Sequence, residues 1–356
     1  MRIAVFSEYY APHHGGVEAR VQGLAEALVA LGHEVTVHTV GYNRALSETE
    51  TMAGVRVRRC PAPRYGSPLL GGTRRGLWSM LKYARWCRRR ARDGFDVFIY
   101  EEFPFLHALM APAAARARGV FDWCEYREHP VFAFMQRRLP RRFRWNTAVS
   151  DGVAAGIAHA SGRPVRTLPS GIRLEAYRAR PRAERQGLLY VGRLWPHKNL
   201  GLAINAFERL CARGYRGGFT IAGDGPEGDA LRRRIDASPH ARRIVLAGAV
   251  AEAEKVELLA RAEVFLILSE REGFPAAVAE AMASGLPIVT ADYPGNGGAG
   301  VVRAYGAGVV SAPAADAVAD AVEQALANWE RFSASGRAAA AGLDWKALAM
   351  GLLAGL

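Results

Sequence analysis

Apolar and polar positions along the chain alternate between short β-branched runs and longer stretches of helical period. In the first half the runs are IAVFS (3–7), EVTVHTV (34–40), VRVRRC (55–60), DVFIYE (96–101), VFDWCE (120–125) and NTAVS (146–150). The second half restarts the rhythm with GLLYVGRL (187–194), FTIAGDG (219–225), RIVLAGAV (243–250), VFLILSE (264–270), PIVTADY (287–293) and GVVSA (308–312). Strands that alternate with helices in this way predict an α/β protein with two parallel-sheet domains. Residues 169–186, PSGIRLEAYRARPRAERQ, carry Pro, Gly and charge without periodicity and read as a linker. That sets an N-terminal domain at 1–168 and a C-terminal one at 187–340. In the closing LDWKALAMGLL (343–353), Trp345, Leu348 and Leu352 share one helical face, so 341–356 is expected to pack on a domain, the N-terminal one being a candidate. Open parallel sheets bind ligands at the carboxyl ends of their strands, which points to a cleft between the domains.

At 50% hydrophobic and 23% charged over 356 residues, the chain can bury two cores and is not disordered. Of the net +13, the first 170 residues hold +11, with 25 basic and 14 acidic side chains. Only Lys82, Lys198, Lys255 and Lys346 are lysines, so much of the arginine reads as the coding bias of a GC-rich genome. The four cysteines, Cys60, Cys87, Cys124 and Cys211, have neither C-x-x-C spacing nor histidine neighbours, which argues against a disulfide framework or structural zinc. MRIAVFSEYY does not read as a signal peptide, and no run reaches the ~18 to 20 apolar residues of a membrane span. A soluble cytoplasmic protein is expected.

Candidate chemistry sits at strand ends. After the first run, Gly15 and Gly16 open a helix, where backbone can approach an anion, although a plain turn has the same pattern. Arg193 and Lys198 flank the turn of VGRLWPHKN, so both cations can converge on a diphosphate or simply face water. Glu272 stands in a Gly-Phe-Pro loop and Glu280 eight residues on, expected two turns along the same helical face; each alone could equally be an ordinary helix carboxylate. Gly223-Asp224-Gly225-Pro226-Glu227-Gly228 satisfies G-x-G-x-x-G, but Asp224 would face a pyrophosphate and AGAV (247–250) offers no acid for a ribose. A turn into a helix is the better reading, and a nicotinamide dehydrogenase is set aside.

Taken in order and spacing, GGVE, AVS (148–150), LPSGI (168–172), GRLWPHKN, AGDGPE, EGFPAAVAEAMASGLPIV and DWKALA resemble the retaining glycosyltransferase family 4. The resemblance covers nearly the whole chain. It implies the GT-B fold, two Rossmann-like domains facing each other across a cleft. It further implies that Gly15 and Gly16 lend backbone to a donor diphosphate bound by Arg193 and Lys198. Glu272 with Gly273 and Phe274 would contact the donor sugar, Glu280 the ribose, and the backbone near Val250 the base. Where the family commonly has a histidine near the reacting centre this chain aligns Cys124, with His129 or Glu125 as substitutes if the alignment is shifted. The segment PGNGGAGV (294–301) lacks the glutamate usual before that helix.

The expected activity is hexosyl transfer with retention from a nucleotide-diphosphate-sugar to a hydroxyl acceptor. No Asp-x-Asp pair exists, so neither metal nor cofactor is expected. A nucleotide-sugar epimerase on the same fold and a non-catalytic binding partner are the alternatives. Residues 51–92 hold twelve basic side chains and no acidic one, and Arg137, Arg138, Arg141, Arg142 and Arg144 form a second cluster. With Leu77, Trp78, Leu81, Tyr83 and Trp86 interleaved, the first cluster could be a solvated face or could meet an anionic or lipid-linked acceptor at a membrane surface. Nucleic acid is not expected, because no recognised module accompanies the charge.

Overall fold

The computed structural model of the chain describes residues 1–356 except 14, 44 and 62–75. It divides into two units, Met1–Gly171 with Trp345–Leu356, and Ile172–Asp344. The first unit contains β1 (Arg2–Phe6), β2 (Glu34–Gly41), β3 (Thr49–Met52), β4 (Val55–Pro61), β5 (Val97–Glu101), β6 (Gly119–Trp123), β7 (Trp145–Ala148) and β8 (Arg166–Thr167). They form one sheet in the order β3-β4-β2-β1-β5-β6-β7-β8, parallel except for the β3–β4 edge pair. Around it lie α1 (Gly16–Ala30), α2 (Leu77–Arg90), α3 (Leu106–Leu109), α4 (Ala113–Ala117), α5 (Pro130–Arg138) and α6 (Asp151–Ser161). Ile3, Val5, Val35, Val37, Val97 and Ile99 pack with Val21, Leu24 and Leu28 of α1. Central strands covered on both faces are apolar throughout, as residues 3–6 of β1 and 97–100 of β5 are, whereas β4 nearer the edge alternates, with Val55 and Val57 buried and Arg56 exposed.

In the second unit β9 (Leu188–Val191), β10 (Phe219–Ala222), β11 (Ile244–Gly248), β12 (Val264–Ile267), β14 (Ile288–Ala291) and β16 (Gly308–Ser311) make an all-parallel sheet ordered β11-β10-β9-β12-β14-β16. A separate short parallel pair joins β13 (Arg271–Glu272) to β15 (Gly295–Asn296). The helices are α7 (Leu200–Ala212), α8 (Gly228–Asp236), α9 (Glu252–Arg261), α10 (Ala276–Ala283), α11 (Gly297–Tyr305), α12 (Ala315–Ala327) and α13 (Trp329–Ala341). The last helix, α14 (Trp345–Ala354), belongs to the first unit. Trp345, Ala349 and Leu352 enter its core, and a Cβ at Gly23 would lie 2.1 Å from the Trp345 indole nitrogen, so glycine there lets the ring rest on α1.

The segment 169–186 is shared, with 172–186 belonging to the second unit. Arg185 within it is buried and donates to the carbonyls of Leu259, Ala262 and Ser284, closing the carboxyl ends of α9 and α10 while stacking 5.2 Å above Trp329. In both sheets the strand order reverses once, between β1 and β5 and between β9 and β12. Such reversals leave a crevice at the carboxyl ends, the favoured place for a ligand in this class of sheet.

Candidate functional site

At the reversal in the second unit, β9 runs into Gly192-Arg193-Leu194. The G-x-G-x-x-G loop packs against this turn. A Cβ at Gly223 would stand 1.8 Å from the Gly192 carbonyl oxygen and one at Gly225 2.5 Å from that of Leu194, so these glycines serve close backbone approach, both at positive φ. Leu194 N–H donates to Asp224 O at 2.9 Å and Glu227 N–H to Leu194 O at 3.0 Å. The Arg193 side chain is exposed, its guanidinium 5.8 Å from the Trp195 ring centre. Four residues on, the turn Pro196–Lys198 is tied to the loop after β12 by Glu270 N–H donating to His197 O at 2.8 Å. Lys198 Nζ there pairs with Glu272 Oε1, and the two side chains are only 12% and 13% exposed. His197 beside them is pushed below the usual imidazole range by burial and then by Lys198 and Arg271.

Glu272 is not on the helix that carries Glu280. It stands in β13, opposite Asn296 of β15, and α10 begins four residues later. The expected single face is therefore corrected: Glu280 lies mid-helix with its side chain 14% exposed and takes a bond from Lys255 Nζ at 2.8 Å. Each carboxylate thus has its own lysine. Gly273 and Phe274 fill the loop between them, Phe274 packing on the core, and a Cβ at Gly297 would stand 2.0 Å from Gly273 O. Asn296, where the family glutamate is absent, caps α11 by accepting from Gly298 N–H at 3.1 Å while its amide donates to Thr290 Oγ1 and Ala291 O. Val250 follows β11 just before α9.

The first unit holds the remaining predicted residues at the carboxyl ends of β1 and β6. Gly15 caps α1 in extended conformation, and a Cβ on Gly16 would meet nothing within 4 Å, leaving its backbone open to a ligand. Cys124 sits beyond β6 with its N–H donating to Glu102 Oε2 at 2.9 Å and its sulfur 3.8 Å from Glu101 Oε1. Burial first, then Glu101 and Asp122, push the thiol well above its ordinary pKa, so it is held neutral rather than as a thiolate. Sequence reasoning missed this setting. Glu101 and Glu102 are both buried at the end of β5, their carboxyls raised by desolvation and by neighbouring carboxylates. Also unforeseen, Arg20 of α1 grips Asp122 with two bonds of 2.8 and 3.0 Å and donates to Leu168 O at 2.7 Å, while Thr147 donates to Asp122 at 2.7 Å. Two successive acids closing an apolar strand were the available signal.

In the basic region, Tyr83 and Trp86 of α2 turn inward, the Tyr83 hydroxyl donating to Ser7 O and His38 O. Leu77 and Trp78 are exposed at the start of α2, the latter at 80%, and Arg85, Arg88 and Arg89 are exposed toward its end. Arg64, Arg74 and Arg75 lie outside the described residues. Among the described residues no helix is long and apolar enough to cross a membrane.

Two α/β units, each built on a parallel sheet with one strand-order reversal, are the architecture of a GT-B fold. The family model for glycosyl transferases group 1 matches residues 176–341, and that for the glycosyl transferase 4-like domain matches residues 15–171. The chain belongs to glycosyltransferase family 4 and is a nucleotide-sugar glycosyltransferase of GT-B fold. It is 27% identical over 325 residues to an α-monoglucosyldiacylglycerol synthase of Acholeplasma laidlawii, covering 81% of this chain and 80% of that one. It is 26% identical over 369 residues to a phosphatidyl-myo-inositol mannosyltransferase of Mycobacterium tuberculosis, covering 98% and 94%. The structure of Anabaena HepE in complex with UDP and glucose matches in fold with a TM-score of 0.75 at 18% identity, over 100% of both chains.

Proposed function

We propose that the protein is a retaining, metal-independent hexosyltransferase that moves a sugar from a nucleoside-diphosphate donor to a hydroxyl acceptor. The observation that carries this reading is the Lys198–Glu272 pair, with Arg193 in the same loop and Glu280 on the following helix. Arg193 and Lys198 bind the diphosphate and stabilise the negative charge that grows on it as the bond to the sugar breaks, a role that calls for no divalent ion. Glu272, with Gly273 and Phe274, takes the donor-sugar hydroxyls, Glu280 takes the ribose, and the backbone near Val250 lies beside the base. Gly15 and Gly16 offer backbone N–H to the diphosphate. The acceptor oxygen attacks the anomeric carbon on the face the diphosphate leaves, and its proton passes to a donor phosphate oxygen. No side-chain nucleophile takes part, and the neutral thiol of Cys124 shapes the wall beside the sugar.

For the acceptor we favour a lipid-linked hydroxyl met at an anionic surface. The named relatives are a monoglucosyldiacylglycerol synthase and a phosphatidyl-myo-inositol mannosyltransferase, and exposed Leu77 and Trp78 on the same helix as three exposed arginines suit such a surface. HepE's bound UDP supports a uridine donor. An epimerase would need an accessible acid and base, and Glu101 and Glu102 are buried. The test is a nucleotide-sugar panel with a lipid acceptor in excess chelator, the product anomer read by NMR. Retention with full turnover is expected; an inverted product, a magnesium requirement, or epimerised sugar from donor alone would each refute its part.

A further inference from the structure

Lys255 lies on α9, outside every motif that carries the family resemblance. Its Nζ donates to Glu280 Oε1 at 2.8 Å and stands 3.0 Å from Glu252 Oε2, with its side chain 17% exposed. Tyr177 closes the other side of Glu252, its hydroxyl 3.5 Å from Oε1. Burial opposes a charged ammonium here, but Glu280 and then Glu252 more than offset it and raise the lysine above its ordinary pKa. The cation is therefore fixed in place and charged.

The rest of α10, AAVAEAMA, is apolar, with Val278, Ala279, Ala281, Met282 and Ala283 buried. Nothing on that helix can orient the Glu280 carboxylate. A carboxylate offers about four lone-pair sites; the Lys255 ammonium takes one on Oε1 and the Tyr177 hydroxyl also lies against Glu280, which still leaves sites for a ligand. An unheld glutamate would have to lose its rotamer freedom on binding, whereas one already held does not. We propose that Lys255 is a positioning residue for nucleotide binding: it clamps Glu280 so that the remaining carboxylate lone pairs meet the ribose hydroxyls, and Glu252 steadies Lys255 from behind. This rests on Glu280 as the ribose residue.

The test is calorimetry with UDP, GDP and ADP, continued with whichever binds tightest and with its 2′-deoxy counterpart. Lys255→Met should weaken the ribonucleotide about tenfold and the deoxynucleotide less, so that the ribo/deoxy ratio shrinks. In turnover, KM for the donor should rise more than kcat falls. Lys255→Arg should restore part of the ratio, and Glu252→Gln should give a smaller loss in the same direction. In a Glu280→Gln background Lys255→Met should add nothing. If Glu280→Gln lowers the ratio while Lys255→Met leaves it at the wild-type value, Lys255 has no such role and the ribose reading stands. If Glu280→Gln itself leaves the ratio unchanged, the ribose reading falls and takes the Lys255 proposal with it. Should Lys255→Met fail to fold, an unchanged ratio in Glu252→Gln overturns the clamp.

Discussion

The Lys198–Glu272 pair makes an unusual demand on nucleotide binding. One ammonium serves both the carboxylate and, by the proposed function, the leaving diphosphate, so oxygens of the two anions would stand about 4 to 5 Å apart on a shared cation. Lys198→Met then removes a charge-assisted contact, about 1.5 to 3 kcal/mol. It also leaves Glu272, 13% exposed, facing the phosphate with nothing between them. At an effective dielectric of about 20 that repulsion is roughly 3 kcal/mol at 5 Å, less whatever the carboxylate escapes by rotating or taking up a proton. The single variant should lose two to three orders of magnitude in affinity for bare nucleoside diphosphate. Adding Glu272→Gln removes the repulsion but not the lost contact, so Lys198→Met with Glu272→Gln should bind more tightly than Lys198→Met alone, within about 10- to 100-fold of wild type. Glu272→Gln by itself should leave the bare diphosphate unweakened while impairing use of the intact donor. Calorimetry on the four proteins decides it. Additive losses, or a Glu272→Gln loss on the bare nucleotide equal to that of Lys198→Met, would show that the two side chains do not share the diphosphate.

Arg20→Met leaves Asp122 buried without its cation, at a cost of about 3 to 5 kcal/mol, and should lower the melting temperature of the first unit by roughly 10 °C; unchanged melting would refute the pair's role. Glu101 holds a raised carboxyl pKa in the folded state, so its protonation favours the fold below the ordinary carboxylate range of ~4.3, and that contribution is lost as pH rises through the folded value. Glu101→Gln should therefore raise the melting temperature at pH 8 and leave it nearly unchanged at pH 4, and a gain equal at both would count against it. Replacing Arg88 and Arg89 with glutamine and Trp78 with alanine should reduce binding to acidic vesicles and spare nucleotide binding; no vesicle binding by the wild type at low salt would point to a soluble acceptor. Cys124→His places an imidazole beside Glu101 and should change the relative use of sugar donors more than affinity for the bare nucleotide, whereas an equal loss on every donor would make Cys124 a packing residue.

All twelve runs are strands: the central ones were legible because a strand covered on both faces can be apolar throughout, and the outer β4 because its valines alternate with polar residues. β3, with the sequence TETM, escaped because an edge strand half open to water needs no such run. The segment 169–186 looked like linker, yet Arg185 in it is a buried anchor for two helix ends, a role that leaves no periodic trace. Tyr83 and Trp86 were read with Leu77 and Trp78 as apolar residues interleaved in the basic cluster, but they turn toward β1 and β2, where the Tyr83 hydroxyl finds carbonyls of Ser7 and His38.

The candidate site could be picked out where local geometry marks it, at glycines and at charges in strand-end turns, but not its pairings, whose partners come from far along the chain. Lys198 and Glu272 are 74 residues apart and Arg20 and Asp122 are 102 apart, so no helical or strand spacing could join them. Two of the four lysines, Lys198 and Lys255, are each paired with a carboxylate, and the choice of lysine there has a physical rationale. A guanidinium tends to take both oxygens of a carboxylate in a planar fork, as Arg20 does with Asp122, whereas an ammonium is a point donor that occupies one. A carboxylate that must also bind a sugar or a ribose needs an oxygen left over. Arginine suits the buried pair that only holds the fold. By the proposed function Glu272 and Glu280 are such carboxylates, and Lys198 and Lys255, two of the chain's four lysines, each leave them an oxygen that a fork would take.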